Sequence, residues 1–198
     1  NLHIHAGRLD MKQIYSQLTQ IRPVCVLDAT HPYADEVTKN IKEACQTAGV
    51  PYMRILRENT DMTENVTGSA KAHIRVADSM REAVDLLNDK PYLEKNILLT
   101  TGSKHLPDYT KIQDYQNRAY LRLLPSPEML QKAVDTGFLP AHLIAMQGPF
   151  SQELNVALIK QSGIGVLVTK QSGKSGGFEE KISAAEQTGT DVIVIKRP

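Results

Sequence analysis

Residues 97–104 read Ile-Leu-Leu-Thr-Thr-Gly-Ser-Lys, an apolar run that stops abruptly in small and hydroxylated residues and a lysine. Such a stretch can hold an anion. Thr101 and Ser103 offer hydroxyls, Gly102 lets backbone amides approach a ligand, and Lys104 adds a positive charge. Taken alone, the stretch is also what an ordinary turn after a strand looks like. Comparable chemistry recurs three times further on. Leu124-Pro125-Ser126 and Gln147-Gly148-Pro149-Phe150-Ser151 each lead from an apolar run into a helical pattern. Lys170-Gln171-Ser172-Gly173-Lys174-Ser175-Gly176-Gly177 is basic and glycine-rich, with no acid before Glu179. Helix N-termini favour phosphate through free N–H groups and the macrodipole. Four such stretches on one edge would make a dinucleotide or polyanion site. The plain alternatives are that Ser126 and Ser151 are N-caps and that 170–177 is a surface loop. No G-x-G-x-x-G occurs, so the usual dinucleotide fingerprint is missing.

The first half carries Asp28-Ala29-Thr30-His31-Pro32-Tyr33-Ala34 after another apolar run. His31 titrates near neutrality and can donate to a carboxylate, or it is a solvated loop residue beside a helix-capping Thr30. Asp28 reads as an acceptor of backbone amides rather than as an acid. Arg54 and Arg57 can meet anions or end a solvated strand. No Ser/His/Asp arrangement, no paired carboxylates and no Cys/His pair with zinc spacing is recognisable.

These residues need elements to position them, and the pattern is α/β. After an alternating opening at 1–5, Asp10 and Gln13 form a capping box for a helix with Met11, Ile14, Tyr15 and Leu18 on one face. A strand at 23–28, a helix with Val37, Ile41, Ala44, Cys45 and Ala48 that Gly49 ends, and a strand at 51–56 follow. This order favours a parallel sheet. Residues 57–70 are polar and read as a loop. A short strand at 73–76 and a helix capped by Ser79 and Glu82 close the first half at 90–92. The second half places strands at 97–101, 118–123, 142–146, 165–169 and 191–195, with helices between most of them. The expected division is a domain at 1–92 and a second at 93–198. Open parallel sheets bind ligands outside the carboxyl ends of their strands, which is where all these stretches fall.

Composition sets the class. The chain has 198 residues, 41% hydrophobic and 23% charged, enough for a globular core. A net charge of +1 argues against general nucleic-acid binding. No apolar run approaches the ~18 residues of a membrane span, and no signal peptide is visible. Cys25 and Cys45 read as buried thiols, and a reducing, cytoplasmic home is expected. The chain starts with Asn1 inside a strand pattern, so the natural protein is expected to carry more at its N-terminus.

Taken together, Asp28–Ala34, Thr100–Lys104, Arg122–Pro125, Met146–Ser151 with Glu153 and Asn155, Lys170–Gly173 with Gly176, Gly177 and Lys181, and Val194–Pro198 resemble the precorrin-6A reductase family, which also has a cobalt-precorrin-6A form. These stretches run in family order across nearly the whole chain. The resemblance implies two Rossmann-like domains with mainly parallel sheets. It implies hydride transfer from NADPH or NADH to a double bond of a carboxylate-rich tetrapyrrole in cobalamin biosynthesis. Thr101, Gly102, Ser103, Lys104, Arg122, Pro125, Ser126, Lys170, Ser172 and Gly173 would then hold the cofactor. Thr30, His31, Tyr33, Gly148, Pro149, Ser151, Gly176 and Gly177 would face the macrocycle, with His31 or water as the candidate proton donor and no metal site. The family pattern opens with a strand and a Gly-Gly-Thr turn that are missing here, about one βαβ unit of ~30 residues or more, so the first domain is expected to be incomplete. The rival readings are another nucleotide-dependent enzyme on the same fold, and a non-catalytic nucleotide or tetrapyrrole binder.

Overall fold

The computed structural model describes residues 4–30, 34–55, 72–171 and 177–196. They form two compact units, one up to residue 55 and one from residue 72.

In the first unit, α1 (Met11–Ile21) starts at Asp10 through a complete capping box with Gln13. It is followed by β1 (Val26–Asp28), α2 (Asp35–Ala48) and β2 (Tyr52–Arg54). Gly49, with φ 67°, ends α2 in the left-handed region. The two strands are parallel, with Leu27 opposite Met53 and Asp28 opposite Arg54. Ile14, Leu18, Ala44 and Cys45 pack with Val26 and Tyr52, so both helices cover one face of the pair. β1 is shorter than the 23–28 run, and Cys25, just before it, is half-buried rather than buried. Of the expected opening strand, Ile4 and His5 carry no strand, and residues 1–3 lie outside the described residues.

The second unit contains β3 (Ile74–Ala77), α3 (Met80–Leu87), β4 (Asn96–Leu99), α4 (Leu106–Tyr109), α5 (Tyr115–Arg118), β5 (Ala119–Leu123), α6 (Pro127–Asp135), β6 (Leu143–Ala145), α7 (Gln152–Gln161), β7 (Ile164–Lys170), α8 (Phe178–Thr188) and β8 (Asp191–Ile195). Six strands form one sheet in the order β3-β8-β7-β4-β5-β6, and every pairing is parallel. Alternate residues divide between two cores. Ile97, Leu99, Leu121, Val166, Val168 and Ile193 face α3, α4 and α6, while Leu98, Leu167, Val192 and Val194 face α7 and α8. Fully burying each of these side chains is worth about 1.5–3 kcal/mol.

The boundary expected at 92/93 does not match this packing. β3 pairs with β8 in the register Ile74↔Val192, and Met80, Ala83, Val84 and Leu87 of α3 join the second unit's core. A strand's partner more than a hundred residues away leaves no local trace, whereas the loss of period at 57–70 was the better punctuation. The short helices α4 and α5 were not expected either. The chain runs β4, β5, β6 across the sheet in one direction and then returns to place β7 on the other side of β4. The order therefore reverses between β4 and β7, and a crevice forms beyond the carboxyl ends at such a point.

Candidate functional site

The turn after β4 is anchored first. Thr100 donates from both its amide and its hydroxyl to the Val168 carbonyl, at 2.9 and 2.8 Å, joining the ends of β4 and β7 at the reversal. Gly102 then takes φ 78°, which favours glycine, and among the described residues no atom beyond its chain neighbours lies within 4 Å of where a Cβ would point. A 3-10 turn, Ser103–His105, follows. The Thr101 hydroxyl is buried against the hydroxyl of Tyr109, which itself donates to the Gly102 carbonyl at 2.9 Å. Ser103 donates to the Met129 sulfur at 3.2 Å. The two hydroxyls read as ligand-ready are thus engaged inside the protein, and Lys104 lies exposed in the same turn.

His105, which sequence reasoning passed over, sits beside this turn. Burial pushes its pKa down, the contact with Asp108 at 3.2 Å pushes it up, and the charges of Lys170 and Lys104 push it down again, with a net lowering. Both lysines therefore act on one spot at the reversal, one from the turn after β4 and one from the end of β7.

Arg122, in β5, is buried and makes one hydrogen bond among the described residues, to Asn155 Oδ1 at 2.8 Å. Asn155 Nδ2 in turn donates to the Ser151 carbonyl at 2.8 Å. The Arg122 guanidinium carbon lies 4.1 Å from the centroid of the Phe150 ring. A Cβ at Gly148 would come within 3.1 Å of that ring, so a glycine there leaves room for the stacking. Burial lowers the Arg122 pKa to about 10. Lys181, on α8, is also buried, and burial first, then the charge of Arg122, brings it to about 8 against a raising effect of Glu180. The sequence reading placed Lys181 only within the resemblance and did not select Glu180.

The remaining residues named from sequence fall as follows. Pro125 is exposed, and Ser126 occupies the N-cap position of α6 without a side-chain cap hydrogen bond. Gly148, Pro149 and Ser151 are exposed, and the Ser151 hydroxyl caps α7 by accepting from the Leu154 amide at 3.3 Å. Lys170 ends β7, and Gly177 is buried with φ 61°. Ser172, Gly173 and Gly176 lie outside the described residues, as do His31 and Tyr33.

In the first unit, Thr30 donates from its amide and hydroxyl to Asp28, at 2.9 and 2.6 Å. Tyr52 donates to the other oxygen of Asp28 at 2.7 Å, and Arg54 lies 3.6 Å from it while also bonding Thr38. Asp28 is thus an enclosed acceptor that fixes the end of β1, as its place after the apolar run suggested.

The whole chain, residues 1–198, matches the family described as Precorrin-6x reductase CbiJ/CobK. It is 34% identical over 200 residues to a cobalt-precorrin-6A reductase of Priestia megaterium, covering 98% of this chain and 73% of the relative. It is 33% identical over 195 residues to one of Salmonella typhimurium, covering 98% and 71%. It is 33% identical over 192 residues to one of Methanothermobacter thermautotrophicus, covering 97% and 60%. Among solved structures, it superposes on a CobK precorrin-6A reductase with a TM-score of 0.72 at 27% identity, covering 97% of this chain and 72% of that one.

Proposed function

The chain belongs to the precorrin-6x reductase family, and from that premise we propose that it reduces one double bond of the precorrin-6A macrocycle, with or without cobalt, in cobalamin biosynthesis. The reductant is a reduced nicotinamide cofactor, NADPH or NADH, which supplies the hydride. The observation that carries this reading is the family match along the full 198 residues.

The residues at the β4/β7 reversal fit such a cofactor. Its phosphates call for backbone donors and cations at the carboxyl ends of parallel strands. Lys104 and Lys170 both act on His105 there, and Arg122 lies at the end of the adjacent strand β5. Their task is to bind and orient; the cofactor brings the hydride chemistry with it. Pro125, Ser126, Ser172 and Gly173 complete the assignment on the cofactor side. The macrocycle is assigned to Thr30, His31, Tyr33, Gly148, Pro149, Ser151, Gly176 and Gly177, with the proton drawn from His31 or from water. A cytoplasmic location belongs to the same proposal.

The test is oxidation of each reduced cofactor by this chain in the presence of precorrin-6A or its cobalt form. Oxidation that requires the tetrapyrrole and is not supported by small ketones is the expected result. Tight binding of cofactor and tetrapyrrole without oxidation would make the protein a carrier or sensor instead.

A further inference from the structure

Asn155, on α7, is 1% exposed, and Arg122, on β5, is 5% exposed. A guanidinium offers donors only, and a backbone carbonyl offers acceptors only. Between the two stands an amide, which does both. Asn155 Oδ1 accepts from Arg122 Nη1 at 2.8 Å, and Asn155 Nδ2 donates to the Ser151 carbonyl at 2.8 Å. An aspartate in this place would set an oxygen against the carbonyl, and a leucine would answer neither neighbour. The same carbonyl accepts from the Asn155 backbone amide at 3.2 Å, so the side chain is braced on its own helix turn while it reaches β5.

The same stretch of chain holds Arg122 from a second direction. The Phe150 ring lies 4.1 Å from the guanidinium carbon, and a Cβ at Gly148 would come within 3.1 Å of that ring. Residues 148, 150, 151 and 155 are therefore fitted around one side chain of β5. That strand is paired on both sides, with β4 and β6, and is the rigid member of the set. The fixing is mutual: Arg122 settles where the turn at 148–151 lies, and the turn settles where the guanidinium lies.

We propose that Asn155 is a positioning residue for the reduction, holding Arg122 and the turn at 148–151 in fixed register. The role rests on the reading above, which gives Arg122 to the cofactor and Gly148, Pro149 and Ser151 to the macrocycle. Hydride transfer needs the two ligands at a near-attack distance, so a link between their holders acts on kcat more than on either affinity. Asn155, being buried, acts through Arg122 and Ser151 and not on a ligand itself.

The test compares the 198-residue chain with Asn155→Leu and Asn155→Asp, which take the two hydrogen bonds apart. Asn155→Leu removes both. Asn155→Asp keeps an acceptor for Arg122 and loses the donor to Ser151. The first readout needs no ligand: the side-chain proton–nitrogen NMR signal of Arg122, identified by its loss in Arg122→Lys, feels the Phe150 ring. It is expected to move in Asn155→Leu and to keep its wild-type position in Asn155→Asp. The second readout is oxidation of reduced cofactor with precorrin-6A by the folded protein. In both variants kcat is expected to fall about tenfold, with each KM within about twofold of wild type. Asn155→Leu combined with Arg122→Lys is expected to cost no more than the larger single effect, which a general loosening of α7 would not reproduce. An Arg122 signal unmoved in Asn155→Leu overturns the role, and so do additive effects in the double variant. A wild-type kcat in Asn155→Asp also overturns it, and that nearly isosteric variant reads the site even where Asn155→Leu fails to fold. A wild type that turns over beside unaffected variants removes the role and leaves the reductase reading standing. A wild type that oxidises no cofactor removes both.

Discussion

The Tyr109 hydroxyl donates to the Gly102 carbonyl at 2.9 Å, which fixes the turn after β4 from within the core. The same hydroxyl pairs with Thr101, and the Tyr109 ring meets Phe138 edge-on at 6.3 Å. Tyr109→Phe keeps the ring packing and removes both hydrogen bonds. The expected cost is about 1–3 kcal/mol in stability. The turn should also lose its fixed form, raising KM for the reduced cofactor several-fold with a smaller change in kcat. Steady-state kinetics against cofactor concentration, with denaturant unfolding alongside, checks both parts.

Arg118 carries a structural load at the other end of the sheet. It is buried at the end of α5, and its guanidinium donates to the carbonyls of Gln113, Tyr92, Lys95 and Leu87, at 2.7, 2.6, 3.1 and 2.9 Å. One side chain thus joins the end of α3, the approach to β4 and the start of β5. Arg118→Met leaves these carbonyls without their donor and is expected to destabilise the second unit by about 1–3 kcal/mol for each that finds no other partner. Denaturant unfolding measures this, and a change below 1 kcal/mol would show that the carbonyls find other partners.

Asp28 makes the stability of the first unit depend on pH. Burial pushes its carboxyl pKa upward. The hydroxyl and amide of Thr30, the hydroxyl of Tyr52 and the charge of Arg54 outweigh this and hold it below the ordinary 3.8. A carboxylate with a lowered folded pKa stabilises the fold above its unfolded value, and that contribution is lost as pH falls through the folded value. Asp28→Asn is therefore expected to cost about 1.5–3 kcal/mol near neutrality. The difference from wild type should shrink as pH drops below 3.8. Thermal unfolding of both proteins across acidic pH checks the sign and the window. A difference independent of pH would mean that the carboxylate's charge has no part in it.

Local chemistry made much of the fold legible. The Asp10–Gln13 capping box, the Gly49 stop and the alternation of apolar runs with amphipathic stretches correspond to real elements. Pairing was not legible. Nothing near Ile74 announces that it lies beside Val192, so from sequence β3 and α3 group with the first unit although they pack in the second. The candidate site divided in the same way. A polar residue at a strand end looks ligand-ready, yet Thr101 is met by Tyr109, eight residues on, from a helix that the pattern did not reveal. Ser151 reads correctly as a cap, because capping is local, and Ser126 takes the position without making the bond. Lys181 lies on α8, and its burial is not something that sequence spacing encodes.

The most direct measurement follows the hydride itself. The chain is given precorrin-6A, or its cobalt form, with nicotinamide cofactor deuterated at the transferring position of the reduced ring, and the tetrapyrrole product is weighed by mass spectrometry. One deuterium per reduced macrocycle, absent when the unlabelled cofactor is used, is the expected result. A reduced macrocycle without label, or a labelled cofactor left intact beside an unchanged macrocycle, contradicts hydride transfer by this protein.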